Sequence, residues 1–240
     1  MRNKEQIFCF TYAGGTAAFF DDLEKDLPGF EFVKLEYSGH GPRRKEPFYA
    51  DFNALADDLY PAVKARRSQE DYALLGYSMG VISVVEILKR ILADPAMKPP
   101  KRVFLAAHEP HTRIELQGFA PDELDEWVKQ RTINFGTVPA KLIDNRSFWR
   151  VYLPLFRADY AMLGTYFFEE LDLRTGIPAT VFYSETDTPR ADMELWRRYF
   201  VGDCSFHEFS GTHFFIQQHH REMARIISDN MNGRGKHHDL

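Results

Sequence analysis

The stretch of sequence that most restricts the fold runs from residue 71 to 94 and reads DYALLGYSMGVISVVEILKRILAD. Its first part is almost entirely apolar, as expected of a β-strand buried on both faces. Residues 79–94 instead repeat apolar side chains at helical spacing. Between them stands the pattern Gly76-x-Ser78-x-Gly80. Because glycine on each side lets a strand-to-helix turn close tightly, this segment predicts a strand and a helix joined by a sharp turn that presents the serine.

Short apolar runs and longer amphipathic stretches alternate along most of the chain. This alternation predicts an α/β fold, with a mostly parallel sheet and helices on both faces. The expected strands lie at residues 7–12, 30–37, 71–77, 102–108, 179–184 and 204–209. The expected helices lie at residues 16–27, 51–67, 79–94, 190–200 and 214–229. A chain of 240 residues suits one such domain, which we expect to span residues 1–229, followed by a disordered tail at 230–240.

Residues 115–175 interrupt this alternation, because their patterns are helical and no strand lies between them. They include the segments PDELDEWVKQRT and SFWRVYLPLFRADYAMLGTYFFEEL. A helical block inserted between two strands can cover the carboxyl edge of the sheet, where ligands bind in open α/β folds. We interpret the block as a lid. The alternative is a group of packing helices that only extends the core.

Composition and charge argue against several classes of protein. The net charge of −5 gives no basic footprint for nucleic acid. No apolar run is long enough to span a membrane, and the start MRNKEQIFCF lacks the apolar core of a signal peptide. Cys9 and Cys204 each lie in an apolar segment, which favours buried thiols in a reducing compartment over a disulfide. We therefore expect a cytoplasmic protein that binds neither nucleic acid nor membrane.

A serine hydroxyl is a weak nucleophile until a base activates it, so Ser78 needs a histidine and an orienting acid. In a sheet of this type these groups follow later strands, in the order serine, acid, histidine. His213 lies in a Gly-Thr-His loop after the last expected strand and is the candidate base. Asp187 is the preferred acid, with Glu185 as the alternative. No cluster of His, Cys or carboxylates has the spacing of metal ligands, so we expect no metal or other cofactor.

Nucleophilic attack on an acyl group also needs two N–H donors for the oxyanion that forms. The residue after the serine, Met79, is one candidate donor. The other is Ala13, in the loop TYAGGTAAFF after the first strand, where Gly14 and Gly15 permit close approach of the backbone. The alternative for this loop is a glycine turn that only leads into a helix.

Taken together, several motifs resemble those of type II thioesterases, the free-standing hydrolases of nonribosomal peptide and polyketide assembly lines. The motifs are FTYAGGTAAFF, YSGHGPRRKEPF, GYSMG, LPLFRADYAMLGTY and SGTHFF, in the family's order between residues 7 and 228. Three features depart from the family pattern. Tyr77 stands where the family usually has His, SGHG at 38–41 replaces Pro-Gly-Arg-Gly, and AAHEPH at 106–111 replaces a loop of small residues. These departures bear on pocket shape rather than on the reacting residues.

The resemblance implies an α/β-hydrolase fold and a role for each candidate residue. Ser78 would be the nucleophile, Asp187 the acid and His213 the base, with Met79 and Ala13 as oxyanion donors. The segment LPLFRADY would belong to the lid. The expected pocket residues are Tyr77, Phe156, Tyr160 and Leu163. The implied substrates are acyl groups on the phosphopantetheine arm of acyl carrier and peptidyl carrier proteins, cleaved by a monomeric enzyme without a cofactor.

Other functions of the same fold stay open at this point. They are a small-molecule carboxylesterase, an acyltransferase in which an alcohol or amine replaces water, and a binding protein without catalysis. Carrier proteins are typically acidic, so Arg43, Arg44 and Lys45 after the second strand form a hypothetical docking patch. The alternative is that these three residues are simply a solvated loop.

Overall fold

The computed structural model describes residues 4–68, 70–110, 116, 118–136 and 138–234. Its centre is a six-stranded sheet in the order β2-β1-β3-β4-β5-β6, and every neighbouring pair is parallel. The strands are β1 (Glu5–Phe10), β2 (Phe30–Lys34), β3 (Tyr72–Tyr77), β4 (Arg102–Ala106), β5 (Ala179–Tyr183) and β6 (Cys204–Glu208). The predicted α/β fold is therefore confirmed, and each strand falls within two residues of its expected start.

Helices cover both faces of the sheet. The helices outside the insertion are α1 (Asp21–Lys25), α2 (Phe52–Arg66), α3 (Met79–Ala93), α6 (Arg190–Met193) and α7 (Ile216–Met231). Helices α2 and α3 pack in one apolar core, and α1 and α7 pack in a second core on the other face. Helix α7 continues past residue 229, and Met231 is fully buried. Most of the expected tail, residues 235–240, lies outside the described residues.

The burial of the strands follows from this layering. Every residue of β3, β4 and β5 is buried, because a central strand of a parallel sheet is covered by helices on both faces. The strand β6 lies at one edge, and its three central residues are only partly buried. The uninterrupted apolar run that predicted β3 is thus the direct consequence of its central position.

The strand order places a switch in chain direction between β1 and β3. From β1 the chain goes to β2 on one side, and from β3 it proceeds to β4, β5 and β6 on the other. Loops after neighbouring parallel strands diverge at such a point and leave a crevice at the carboxyl edge. The loop that starts at Thr11 and the turn at Ser78 border this crevice, so the topology brings the two glycine-containing segments together.

The insertion between β4 and β5 contains two longer helices, α4 (Pro121–Asn134) and α5 (Arg146–Gly164). The Asn145 side chain accepts a hydrogen bond from the Phe148 N–H at 2.9 Å, which explains why α5 begins there. The two helices share a third apolar cluster that is separate from the two sheet cores and includes Val128 and Trp149. The expected helical block is present, with its own small core.

Helix α3 starts in direct contact with β1, and this contact requires glycine. A Cβ atom on Gly80 would lie 2.0 Å from the carbonyl oxygen of Phe10. Alanine favours a helix over glycine by up to about 1 kcal/mol, but a clash with rigid backbone outweighs that gain. We expect Gly80→Ala to lower the free energy of unfolding by about 3 kcal/mol, measured by urea denaturation.

Gly29→Ala is the matched control, because nothing lies within 4 Å of the position of its Cβ. We expect this variant to stay within about 0.5 kcal/mol of the parent chain. Equal stabilities of the two variants would show that the contact between α3 and β1 relaxes without cost.

Candidate active site

The turn at Ser78 holds this residue in an unusual backbone conformation. Its φ is +53° and its ψ is −122°, a region that residues with a side chain rarely adopt. A Cβ atom on Gly76 would lie 2.4 Å from the carbonyl oxygen of Gly80, so the turn closes only with glycine at that position. The Ser78 N–H donates to the carbonyl of Ala106 at 2.7 Å and ties the turn to β4. The geometry is that of a strained serine presented between a strand and a helix.

Three side chains from separate strand ends form a continuous chain of hydrogen bonds. Ser78 Oγ lies 2.9 Å from Nε2 of His213, and Nδ1 of His213 lies 2.8 Å from Oδ2 of Asp187. An ionised carboxylate only accepts hydrogen bonds, so Nδ1–H donates to Asp187. In the neutral ring, Nε2 is then free to accept the proton of the Ser78 hydroxyl.

The loop after β5 distinguishes the two candidate acids. The N–H groups of Asp187 and Thr188 both donate to the carbonyl of Ser184, which curls the loop toward His213. Glu185 points away, and its carboxylate accepts a hydrogen bond from the Arg190 N–H at 2.9 Å, at the start of α6. The structure thus brings Asp187, and not Glu185, to the histidine.

Aromatic side chains hold the His213 ring in place. The hydroxyl of Tyr77 donates to the His213 carbonyl at 2.7 Å, and the two rings meet edge to face at 6.3 Å. Phe135, directly after α4, also packs against this ring, with its ring centroid 4.5 Å from that of His213. Tyr77 is fully buried behind the histidine, and this burial raises the pKa of its hydroxyl. Tyr77 was expected in the pocket; it instead supports the candidate base from beneath.

Two residues with backbone N–H groups unpaired among the described residues lie beside Ser78. Met79 is the first residue of α3, so its N–H has no intrahelical partner. The N–H of Ala13 likewise makes no hydrogen bond within the described part of the chain. Both residues border the same cavity as Ser78. Met79 also lies at the positive end of the α3 dipole, so both residues stay candidate oxyanion donors.

A buried ion pair fixes the loop that carries Ala13. Oδ2 of Asp159 on α5 accepts hydrogen bonds from the Gly14 N–H at 2.6 Å and from Nε2 of His40 at 2.9 Å. Burial lowers the pKa of His40, but the Asp159 carboxylate and the Ser38 carbonyl outweigh it, so the pKa lies above its ordinary value. The helical insertion is thus bonded directly to the loop after β1.

Gly14 is required at this contact. Its φ is +79°, and a Cβ atom there would lie 1.9 Å from the ring of Phe156 on α5. Phe156 was expected in the pocket, but it packs against the glycine loop and does not border the cavity. Its contact with Gly14 holds α5 close to the loop, in parallel with the Asp159 hydrogen bond.

A cavity of about 180 Å³ opens at Ser78. Of the four expected pocket residues, Tyr160 and Leu163 of α5 border it. Phe135, the residue directly after α4, contributes an apolar wall. Because α4 and α5 supply one side of the cavity, the insertion encloses the space in which a substrate would meet the serine.

Several residues of this cavity were not predicted from the sequence. Arg131 of α4 borders it, and the i, i+4 spacing of Trp127, Arg131 and Phe135 was a signal for a shared helix face. Ala107, in the loop after β4, also borders it and has a φ of +57°. That conformation has no sequence signal, because alanine rarely adopts it.

The remaining predictions concern residues outside the cavity. Cys9 and Cys204 are buried free thiols. Arg43 forms ion pairs with Asp58 and Glu46, so the hypothetical docking patch reduces to the exposed Arg44 and Lys45. Among the described residues, no helix combines the length and the apolar character needed to cross a membrane.

The parallel sheet, the sharp turn at Ser78 and the helical insertion before β5 define an α/β hydrolase. The family model of the thioesterase domain matches residues 5–231. The chain belongs to the thioesterase domain family, as its motifs indicated.

Known proteins support this assignment. The linear gramicidin dehydrogenase LgrE of Brevibacillus parabrevis is 28% identical over 233 residues, covering 94% of this chain and 87% of that protein. A probable cadicidin biosynthesis thioesterase of Streptomyces griseus is 30% identical over 218 residues, covering 89% of this chain and 59% of that protein. The motifs also resemble the colibactin-pathway thioesterase. The crystal structure of ClbQ from that pathway matches 97% of this chain and 98% of its own with a TM-score of 0.86, and at 20% identity this likeness shows the shared fold.

Proposed function

We propose that this protein is a serine-dependent thioesterase that hydrolyses acyl groups from the phosphopantetheine arm of carrier proteins, in editing or off-loading during nonribosomal peptide or polyketide synthesis. The observation that carries the proposal is the hydrogen-bonded series Ser78, His213 and Asp187 at a strained turn beside a cavity. Family membership supports a thioester as the bond that is cleaved. One relative is named a dehydrogenase, but the hydrogen-bonded series Ser78, His213 and Asp187 in this chain suits acyl transfer to water.

In the first half of the reaction, His213 Nε2 takes the Ser78 proton while Oγ attacks the thioester carbonyl. The Met79 and Ala13 N–H groups stabilise the negative oxygen of the tetrahedral intermediate. When the intermediate collapses, the carbon–sulfur bond breaks and the pantetheine thiol leaves. A thiolate is a good leaving group, so proton transfer to it matters less than it does for an amine.

In the second half, His213 removes a proton from water, and the resulting hydroxide attacks the acyl-enzyme carbonyl. The ester bond to Ser78 breaks, the serine regains its proton from His213, and the carboxylic acid leaves. Throughout, Asp187 holds the imidazole in the tautomer with the proton on Nδ1 and stabilises its charged form. These residues need no metal or other cofactor for either half.

Helices α4 and α5 would act as the lid of this enzyme. They wall the cavity through Phe135, Tyr160 and Leu163, and α5 bonds to the oxyanion loop through Asp159. We infer that the protein lies in the cytoplasm, since its two cysteines are buried free thiols and a reducing compartment suits them. We also infer that it is a monomer. A stable dimer in analytical ultracentrifugation would contradict the monomer.

The decisive experiment is intact-protein mass spectrometry of an acyl-loaded carrier protein with and without the enzyme. Loss of the acyl mass, together with release of the free acid, supports the proposal. Cleavage of p-nitrophenyl esters without release from the carrier would make the protein a carboxylesterase. Acyl transfer to an added alcohol or amine in preference to water would make it an acyltransferase.

The contact between Asp159 and the oxyanion loop gives a separate prediction. Asp159→Asn removes the charge that binds both the Gly14 N–H and His40. Because the loop then holds Ala13 less firmly, we expect kcat for thioester hydrolysis to fall about 10- to 100-fold with little change in KM. The pKa of His40 should fall at the same time, as measured by NMR titration.

Asp125→Asn is the matched control for this effect. Asp125 of α4 forms an ion pair with Arg157 of α5 at 3.3 Å, so its loss also weakens the insertion but leaves the oxyanion loop intact. Equal losses of kcat in the two variants would mean that the insertion as a whole, rather than Asp159, positions the loop.

A further inference from the structure

Arg131 is the one residue of the described cavity wall whose positive charge is permanent. Its guanidinium lies among three aromatic rings, 5.3 Å from the centroid of Trp127, 4.9 Å from Phe135 and 5.9 Å from Tyr160. Phe135 in turn contacts the ring of His213. The guanidinium is therefore held one ring away from the candidate base, at the side of the cavity formed by α4 and α5.

Arg131 has no ion-pair partner among the described residues. Within the same ranges, its buried Nε has no hydrogen-bond partner. The Tyr160 hydroxyl lies near the guanidinium. Burial raises the pKa of this hydroxyl, whereas the neighbouring Thr132 and Arg131 side chains lower it. Leaving a donor of a charged group buried without a partner is costly, so a feature of this kind suggests a ligand.

Two carboxylates also border the cavity, and each is bound elsewhere. Asp187 accepts from His213, and Glu109 accepts from the Thr188 hydroxyl at 3.3 Å. Arg131 is thus the permanently cationic side chain of the cavity and a candidate partner for an added anion. Guanidinium binds carboxylate and phosphate oxygens in a planar, bidentate fashion, and aromatic walls pre-organise it for this.

The size of the cavity favours a small anion. About 180 Å³ corresponds to roughly six water molecules. A three-carbon acyl group with a terminal carboxylate has that size, and its thioester carbon and its carboxylate lie only one carbon apart. Ser78 and Arg131 both border this space, so binding at both residues requires that the acyl group extend from one to the other.

On the basis of the proposed function, we propose that the acyl subsite accepts short acyl chains with a terminal carboxylate, and that Arg131 determines this specificity by pairing with it. The reaction is ordinary hydrolysis: water adds across the thioester, the carbon–sulfur bond breaks, and a dicarboxylic acid and a thiol leave. Arg131 binds the distant carboxylate and takes no part in the proton transfers.

A second anion could reach the same guanidinium. Arg131 also borders a wider groove of about 450 Å³ that passes Asp187 and His213 toward Gln130 and Thr212. The phosphate of the pantetheine arm could enter along this groove. The shared chemistry is an anionic oxygen at Arg131, and the substrates of the test separate the two sources.

The test compares malonyl and malonamoyl thioesters of N-acetylcysteamine, which have the same shape, differ in charge and contain no phosphate. We expect the wild-type protein to show a roughly 10- to 100-fold higher kcat/KM for the malonyl thioester. This ratio should fall to about one in Arg131→Gln, and Arg131→Lys should keep part of it. Lys129→Gln removes a charge from the same helix without touching the cavity and should leave the ratio unchanged.

Several results would overturn the proposal. A wild-type preference for malonamoyl or for a neutral acyl chain contradicts it directly, without recourse to any variant. Equal losses for both thioesters in folded Arg131→Gln would assign Arg131 to the transition state or to packing. If Arg131→Gln instead abolishes a preference for butyryl-phosphopantetheine over butyryl-pantetheine, the phosphate is the anion bound. The neutral malonamoyl thioester tests the proposed function itself. If neither thioester is cleaved in a Ser78-dependent way, that function is refuted.

Discussion

Ser78→Ala is expected to lower the rate of thioester hydrolysis about 10⁴- to 10⁶-fold, because the proposed acyl-enzyme forms on the Ser78 hydroxyl. The substitution removes one hydroxyl at a partly exposed turn, so the folded structure should persist. The measurement is kcat with an acyl thioester, together with the melting temperature. Labelling by a serine-directed fluorophosphonate should disappear in parallel, since that reagent depends on the same activated oxygen.

The chain contains a suitable control for this variant. Ser210 Oγ lies 3.1 Å from Nε2 of His219, which forms a second contact between a serine and a histidine, on the surface and outside the cavity. Ser210→Ala should keep the turnover of the parent chain. Wild-type turnover in folded Ser78→Ala, or a comparable loss in Ser210→Ala, would remove Ser78 from the mechanism.

Asp187→Asn is expected to lower kcat by about 10⁴-fold while the protein stays folded. The amide of asparagine can donate a hydrogen bond to Nδ1, which favours the tautomer with the proton on Nε2. In that tautomer His213 can no longer accept the proton of Ser78. The measurement is kcat near neutral pH, where an isosteric change of one atom should have no other large effect on the site.

Glu185→Gln tests the alternative acid with the same chemical change. Glu185 accepts a hydrogen bond from the backbone of Arg190 and does not contact His213. We therefore expect kcat to stay within about a factor of two, with a loss of stability below about 1 kcal/mol from the weakened start of α6. The reverse result, with the larger loss in Glu185→Gln, would mean that the loop after β5 rearranges in the working enzyme.

Local sequence was sufficient to predict the sheet and the candidate reacting groups. The strand β3 is apolar throughout because it is central, and Gly76 and Gly80 are required by contacts within the turn and with β1. His213 and Asp187 follow strands whose carboxyl ends lie at one edge, so parallel topology alone brings them toward Ser78. In each case the signal lies within a few residues of the feature that it predicts.

The pocket was harder to predict, because its walls depend on how the insertion packs. Tyr77 and Phe156 were expected to border the cavity, yet one supports His213 and the other contacts Gly14. The face of α5 that meets the sheet edge depends on how α4 and α5 pack together. A helical pattern in the sequence does not determine the rotation of α5 about its own axis.

The sequence by itself therefore determined the fold, the position of the serine turn and the order of its partners, because strand burial and turn sterics are local. Only the tertiary structure decided which carboxylate reaches the histidine, which side chains enclose the cavity, and that Asp159 binds Gly14 in the loop after β1, 145 residues away. It also placed the guanidinium of Arg131 against three rings and the space beside Ser78. These contacts join residues far apart in the chain, and their distances depend on the packing of the whole domain.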